Sequence, residues 1–410
     1  MADPTLQTVP NGSSTLEPST HAQSSASSFK STSSQLAPTE TPASSSQATQ
    51  ATTVAEEPEE WQAPKTGALT TPITRPMKAS KPKDPAALTP EQETKYATVL
   101  AAVSQWSSLP STTLKGAASA PVQDHERMWL TRECLLRYLR ATKWQTPAAL
   151  KRLQSTLSWR REYGADTFTA DYISPENETG KQLVLGYDNE CRPCLYLSPA
   201  KQNTKMSDRQ IHHLCYMLDR TIDMLPPGQE SACLLISFKG SGNSHVPTVA
   251  QARSVLNILQ NHSPERLGKA LISDLPWYVT TFFKLISPFI DPVTRDKMRF
   301  NEPQRNYIPP VQLWKTHGGD LEFEYKHDDY WPFLTGECDK RRSENRARWE
   351  KGGKMIGEYE AYIRGGNHPS LAQVIKDAGG EADLPAVSGE NGEVKSDADL
   401  AAAEVGKLSV

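Results

Sequence analysis

Four groups of residues in this chain have types and spacings suited to chemistry. Cys191-x-x-Cys194 has the spacing of zinc sites and redox dithiols. It lacks a second such pair and lies where a turn enters a strand rather than at a helix N-terminus, so an inert pair is the simpler account. His212 and His213 are adjacent within an expected helix, where neighbouring side chains point apart and cannot share one metal. Gly240-Ser241-Gly242-Asn243-Ser244-His245 suggests a nucleophilic serine or a phosphate cradle. It matches neither G-x-S-x-G nor a loop ending in G-K-[ST], so a flexible loop after a buried strand accounts for it better than a hydrolase using Ser241 or Ser244 with His245. The fourth group is two polar turns, Glu265-Arg266 and Thr294 with Lys297. One acid, two cations and a hydroxyl suit a sugar phosphate: the cations meet the phosphate and the carboxylate accepts sugar hydroxyls. On chemistry alone, a surface ion pair between Glu265 and Lys297, worth under ~1 kcal/mol, explains the same residues.

Between those turns lie a short apolar strand, Ala270 to Ile272, and a helix of about Trp277 to Ile290. Val279, Phe282, Phe283, Ile286 and Phe289 recur at three- and four-residue spacing, the period of one helix face. So aromatic a face must enter a core, cover an apolar cavity or press into a membrane, and the last two in turn are expected. Upstream, strands are expected at Gln182–Tyr187, Pro193–Ser198 and Ala232–Phe238, helices at Ser207–Leu225 and Pro247–Asn261, and a last strand near Lys297–Phe300. Such alternation implies an α/β fold with a mostly parallel sheet. Before it, Thr89-Pro90-Glu91-Gln92 reads as a capping box opening a helix with Tyr96, Val99, Leu100, Val103 and Trp106. Further helices begin near Thr131 and Thr146, the latter ending at Gly164, and make an N-terminal helical subdomain.

Composition bounds the class. Met1 to about Glu60 is Ser, Thr, Ala, Pro and Gln with almost no large apolar residue, and the stretch from Gly379 is acidic and equally poor; both are expected to be disordered. The segment around Glu59 to Lys83, which mixes Trp61 with Pro, Lys and Arg, reads as a solvated linker that could touch anionic headgroups. The expected division is 1–88 tail and linker, 89–165 helical subdomain, 166–337 sheet domain, 338–378 helical extension and 379–410 tail. A net charge of -3 predicts no general affinity for nucleic acid. Six scattered cysteines suit reduced thiols, and no run approaches the ~18 apolar residues of a membrane span, so a cytosolic protein is expected.

P-E-R-x-G-K, then a strand, F-x-x-x-x-P-F-I-D-P and a T-x-x-K turn resemble the CRAL-TRIO lipid-transfer family, in its fungal phosphatidylinositol-transfer branch. Roughly 90–340 looks similar to the pleiotropic-drug-resistance subgroup. The family's L-R-[FY]-L-R-A-x-[KR]-[FW] signature appears as Leu136 to Trp144, with Thr142 where members often have Arg, so any phosphate contact from this turn rests on Lys143. The resemblance implies a CRAL-TRIO fold: a five-stranded sheet flooring a lipid cavity, closed by a mobile gating helix of about Trp277 to Ile290. It also implies that Glu265, Arg266, Thr294 and Lys297 bind the phosphatidylinositol headgroup. Ala232 and Leu234 stand where the type member of the branch has the Ser and Thr that bind phosphocholine. Neither donates a hydrogen bond, so weak phosphatidylcholine binding and a possible sterol counter-ligand are expected.

Burying a lipid's two tails is worth well over ~20 kcal/mol, so a carrier must open while docked on a bilayer. Phe282, Phe283 and Phe289 are expected to seal the cavity in solution and engage the interface on opening. The expected protein is a monomeric, non-enzymatic carrier of phosphatidylinositol with no cofactor. It would bind transiently at the endoplasmic reticulum, lipid droplets or the cell periphery. The alternative is an interaction protein that presents the lipid to a lipid kinase or another partner.

Overall fold

The computed structural model describes residues 60–205, 207–242 and 248–379. The long tails and the loop residues Ser244 and His245, on which expectations were placed, lie outside the described residues. The helical subdomain begins as its capping residues dictate. In α1 (Pro90–Ser104) the Thr89 hydroxyl accepts from the Gln92 N–H at 3.3 Å, and the Gln92 carboxamide accepts from the Thr89 N–H at 3.0 Å. A hairpin of β1 (Ser108–Pro110) and β2 (Ser119–Pro121) and a single helical turn or two, α2 (Asp124–Trp129), follow; they are too short to show a period. Then come α3 (Arg132–Ala141) and α4 (Thr146–Tyr163), the latter closed by Gly164 at φ 70°. Val99, Val103, Leu135, Leu139, Leu153 and Leu157 form their shared core.

After α5 (Ala170–Asn177) the chain alternates as expected: β3 (Gln182–Tyr187), β4 (Pro193–Leu197), α6 (Asp208–Asp223), β5 (Ala232–Ser237), α7 (Val249–His262), β6 (Leu267–Ser273), α8 (Trp277–Ile286), α9 (Pro292–Asp296) and β7 (Met298–Phe300). The strands lie side by side in the order β3-β4-β5-β6-β7, with β3 antiparallel to β4 and the rest parallel. Three successive crossovers in one direction place α6, α7 and α8 on the same face, because such connections are right-handed.

Register separates the two faces. Cys194, Cys233, Tyr196, Leu235 and Leu271 share one face and are each at most 2% exposed. Ile308, Leu313 and Leu321 close over it, with the Trp314 ring 6.2 Å from that of Tyr196. The other face carries Leu197, Leu234, Ile236, Ala270, Ile272 and Met298.

Three expectations need correcting. The gating helix ends at Ile286, four residues early, because Pro288 has no N–H and disfavours helix at Ser287; a 3-10 turn, Ser287–Phe289, follows. The C-terminal helix starts well before Cys338. As α10 (His327–Lys351) it runs through Pro332, which reads as a breaker, and the expected boundary at 337–338 falls inside it. Short helices α11 (Glu360–Ile363) and α12 (Leu371–Asp377) complete the described chain. The stretch after Trp61 is a strap, not a solvated linker. Leu69 bridges to Phe323, Ile73 is 1% exposed, the Tyr187 hydroxyl donates to the Thr74 carbonyl at 3.1 Å, and Gln312 donates to the Arg75 carbonyl at 3.0 Å. Its Thr-Pro-Ile-Thr-Arg-Pro run keeps the backbone extended and its carbonyls open to such donors.

Candidate functional site

The parallel pairing of β6 with β7 brings the two polar turns together. The Lys297 carbonyl accepts from the Ala270 N–H at 3.0 Å, and its ammonium donates to the Leu267 carbonyl at 2.7 Å. Asp291 caps α9, accepting from the Thr294 N–H at 2.8 Å. Burial raises the Asp291 carboxyl, but hydrogen bonds from Thr294 outweigh it and leave it below the usual range. Burial lowers the Lys297 ammonium; Glu265 and Asp291 oppose that shift, while Arg192 and Arg140 add to it. Glu265 accepts from Nε of Arg140 at 2.5 Å. Glu265, Thr294 and Lys297 therefore gather as expected, with Asp291 and Arg140 beside them.

Arg266 does not join them. Glu265 has a left-handed backbone, φ 58°, which turns the next side chain the other way. Arg266 donates to the Glu230 carbonyl at 2.8 Å and lies 3.5 Å from the Glu360 carboxylate on α11. The same Glu360 oxygen accepts from Arg137 at 2.7 Å, and Arg137 also pairs with Glu230 at 2.7 Å. Burial, then Arg137, lowers the Arg266 guanidinium. Burial alone would raise the Glu360 carboxyl, but Arg137, Arg266 and Arg364 hold it well below its usual range. Lys143 is exposed, in a left-handed turn, and has no ion-pair partner among the described residues. The glycine of P-E-R-x-G-K is required by close approach: a Cβ on Gly268 would collide with the Arg192 guanidinium and the Ser231 hydroxyl.

From the far end of β6, α8 and α9 lead back to this cluster. Val279 is 0% exposed and packs with Ile272 and Phe238, with Phe283 and Met298 alongside; Ile286 and Ile290 pack on Ala252, with Phe282 alongside. Between α8 and α6 the sheet is thinly covered. Leu197, Leu234 and Ile236 remain partly accessible although β5 is the central strand, and Val255, Leu256, Ile258 and Leu259 of α7 are also only partly buried. These partly accessible apolar side chains outline a groove on this face. Ala232 is 6% exposed and Leu234 lines this face, so neither position adds a hydroxyl to it. Along α8, the 3-10 turn and α9, Trp277 is 77%, Leu285 56%, Phe289 39% and Val293 60% exposed, so Phe289 is not part of a seal. Phe282 and Phe283 are thus inner residues. Leu285 and Val293 were missed because they lie off the stripe; Leu285 beside exposed Thr281 and Lys284, and Val293 within the polar D-P-V-T turn, give no periodic signal.

The other candidates resolve into structure. All six cysteines are free and buried, and burial, with Asp188, pushes the Cys191 thiol up to about 11, the opposite of an activated thiol. His212 meets the Tyr172 hydroxyl at 2.9 Å, whereas His213 is fully buried on the sheet side and held neutral by burial, its pKa down to about 3. The Ser241 hydroxyl is buried, and the Ser241 carbonyl accepts from Tyr278. Among the described residues no cluster suits a metal ion, and no helix is long and apolar enough to cross a membrane. A polar cleft of about 340 Å³ between Thr74, Pro226 and Arg341 lies away from the groove.

Comparison with known proteins settles the lineage. The CRAL/TRIO, N-terminal domain profile matches residues 95–155, and the CRAL/TRIO domain profile matches 177–319. Phosphatidylinositol transfer protein PDR17 of Saccharomyces cerevisiae is 42% identical over 267 residues, which cover 62% of this chain and 76% of that protein. The chain belongs to the CRAL-TRIO family. A CRAL-TRIO domain-containing protein of Schizosaccharomyces pombe is 50% identical over 68% of this chain, although the match spans only 28% of that longer relative. SEC14 cytosolic factor of Kluyveromyces lactis is 30% identical over 46% of this chain and 70% of its own length. These relatives fit the fungal phosphatidylinositol-transfer branch of the CRAL-TRIO family. The five-stranded, mostly parallel sheet and its helical N-terminal part are the CRAL-TRIO architecture.

Proposed function

We propose that this protein lifts one phosphatidylinositol molecule from a membrane, shelters its tails in the groove beneath α8, and delivers it to another membrane without covalent chemistry. The observation that carries this reading is the closeness of Glu265 and Asp291 to the Lys297 ammonium, with Thr294 on the same short helix α9. The ammonium suits the phosphate and the carboxylates suit inositol hydroxyls. The six residues of β5, at ~3.3 Å each, give the groove a floor of roughly 20 Å, suited to extended acyl chains. The relative PDR17, by its name a phosphatidylinositol transfer protein, supports the same ligand.

The exposed Trp277, Leu285, Phe289 and Val293 form the surface that first meets the bilayer. Swinging α8 outward then exposes Phe282 and Phe283 to lipid rather than to water. A phosphate placed deep at Ala232 and Leu234 would forgo hydrogen bonds worth ~1–3 kcal/mol each, so phosphatidylcholine loads poorly and a sterol is the better second ligand. The test is transfer between donor and acceptor vesicles. Glu265→Ala combined with Lys297→Ala should abolish phosphatidylinositol transfer while leaving the melting temperature close to that of the parent. Transfer by the double variant at the parent rate would refute the assignment.

A further inference from the structure

We infer that Arg140, not Arg266, is the arginine that meets the lipid phosphate, an inference that rests on the phosphatidylinositol reading above. Arg266 is committed elsewhere. Its guanidinium is directed at the Glu230 carbonyl and the Glu360 carboxylate, inside a network that also holds Arg137 and, at 3.8 Å from the second Glu360 oxygen, Arg364. Glu360 is 7% exposed, so a phosphate that claimed Arg266 would weaken the pairing of a buried carboxylate, an expensive change.

The turn after α3 offers no other guanidinium. The Thr142 hydroxyl donates back to the Tyr138 carbonyl at 2.8 Å, closing the helix end, and Lys143 is a solvent-exposed point charge. Arg140 is placed differently. It sits in the last turn of α3 with its side chain 33% exposed, Nε on Glu265 at 2.5 Å and Nη2 on Glu230 at 3.3 Å. Those bonds use only two of its N–H donors and fix the plane of the fork. Its charge is near enough to Lys297 to lower that ammonium's hold on its proton, so the two cations repel across the space beside Glu265. A phosphate diester seated between them relieves the repulsion and is met by a guanidinium edge and an ammonium together. Glu265, already oriented by Arg140, then faces the inositol hydroxyls. The helical subdomain thereby contributes a headgroup ligand, and Arg266 becomes a brace that ties β6 to α11.

The full chain is assayed with phosphatidylinositol at low mole fraction in phosphatidylcholine vesicles, following uptake and transfer alongside thermal melting. Arg140→Gln should weaken phosphatidylinositol uptake roughly 10- to 100-fold, as expected for loss of a charged hydrogen bond. Arg266→Gln should lower the melting temperature yet leave uptake per folded molecule unchanged. Arg140→Lys keeps a cation for the carboxylates but cannot span carboxylate and phosphate together, so it should fold normally and still be impaired. Uptake by Arg140→Gln at the parent level, or a selective loss of uptake in a fully stable Arg266→Gln, overturns the inference and leaves the carrier reading intact. Should Arg140→Gln fail to fold, full uptake by Arg140→Lys reduces Arg140 to a brace and likewise overturns it. A parent protein that takes up no phosphatidylinositol brings down the carrier reading and this inference together.

Discussion

Leu234 and Leu235 follow one another in β5, yet Leu235 is 0% exposed against Leu271 and Tyr196, while Leu234, on the opposite face, stays partly accessible. The two faces share every backbone hydrogen bond of the sheet, so strand pairing cannot be the difference. Cover is. One face is closed by a segment with fixed anchors: the Tyr330 hydroxyl both donates to the Val184 carbonyl at 3.0 Å and accepts from its N–H at 2.7 Å, and rings of Trp314, His317 and Phe323 interlock. The other is covered by α6 over β3 and β4 and by α7 and α8 further along, and α8 buries only Val279 and Ile286 fully. Burial is complete along the first face and incomplete at Leu197, Leu234 and Ile236 on the second, where the proposed lipid would sit.

The sharpest way to break this comparison is to truncate both leucines. Leu235→Ala removes a fully packed side chain and should cost about 3–5 kcal/mol, read from chemical denaturation. Leu234→Ala should cost less, about 1–2 kcal/mol, because part of its surface is already wet. Equal losses would mean that the two faces are packed alike and that no groove exists.

A smaller effect sharpens the membrane side. Replacing Trp277 and Leu285 together by Ala should lower affinity for vesicles roughly 10- to 100-fold, since each large apolar side chain taken from water is worth about 1.5–3 kcal/mol. The melting temperature should hardly move, because these residues make little packing in solution. Val279→Ala should do the reverse, destabilising the fold with little direct effect on the docking surface. Co-sedimentation with vesicles and thermal melting separate the two results.

How much of this was legible in the chain follows the same division. The alternation of apolar runs and helix stripes located β3 to β7 and α6 to α8, because burial imposes a period on the residues that make it. The capping box at Thr89 and the Gly164 cap marked their helix ends to the residue. The strap was hidden because its order comes from distant donors, Tyr187, Gln312 and Arg341, acting on its carbonyls, and no local pattern reports such partners. At the site, adjacency of the Glu265 and Lys297 turns followed from a parallel sheet. The direction of Arg266 did not, since it depends on one left-handed residue and on Glu360, almost a hundred residues away along the chain. Arg140 stood in view within Leu136 to Trp144, but its partners lie on other elements.

The smallest expected effect is the share of the pH dependence that His317 contributes on the packed face. His317 lies edge-on to Tyr196 and stacked near Trp314; burial lowers its pKa to about 4, with Lys201 and Lys239 adding to the shift and Asp274 opposing it. An unfolded chain takes up this proton near pH 6.5, the folded one only near 4, so the stability it represents is complete above 6.5 and is lost as pH falls between those values. The melting temperature should therefore drop by roughly 2–4 °C across that interval from this group, and His317→Gln should flatten that part of the profile. No histidine lies on α8, so a gate opening that acidification favoured to the same degree in the His317→Gln variant would show that the packed face is not where the acid acts.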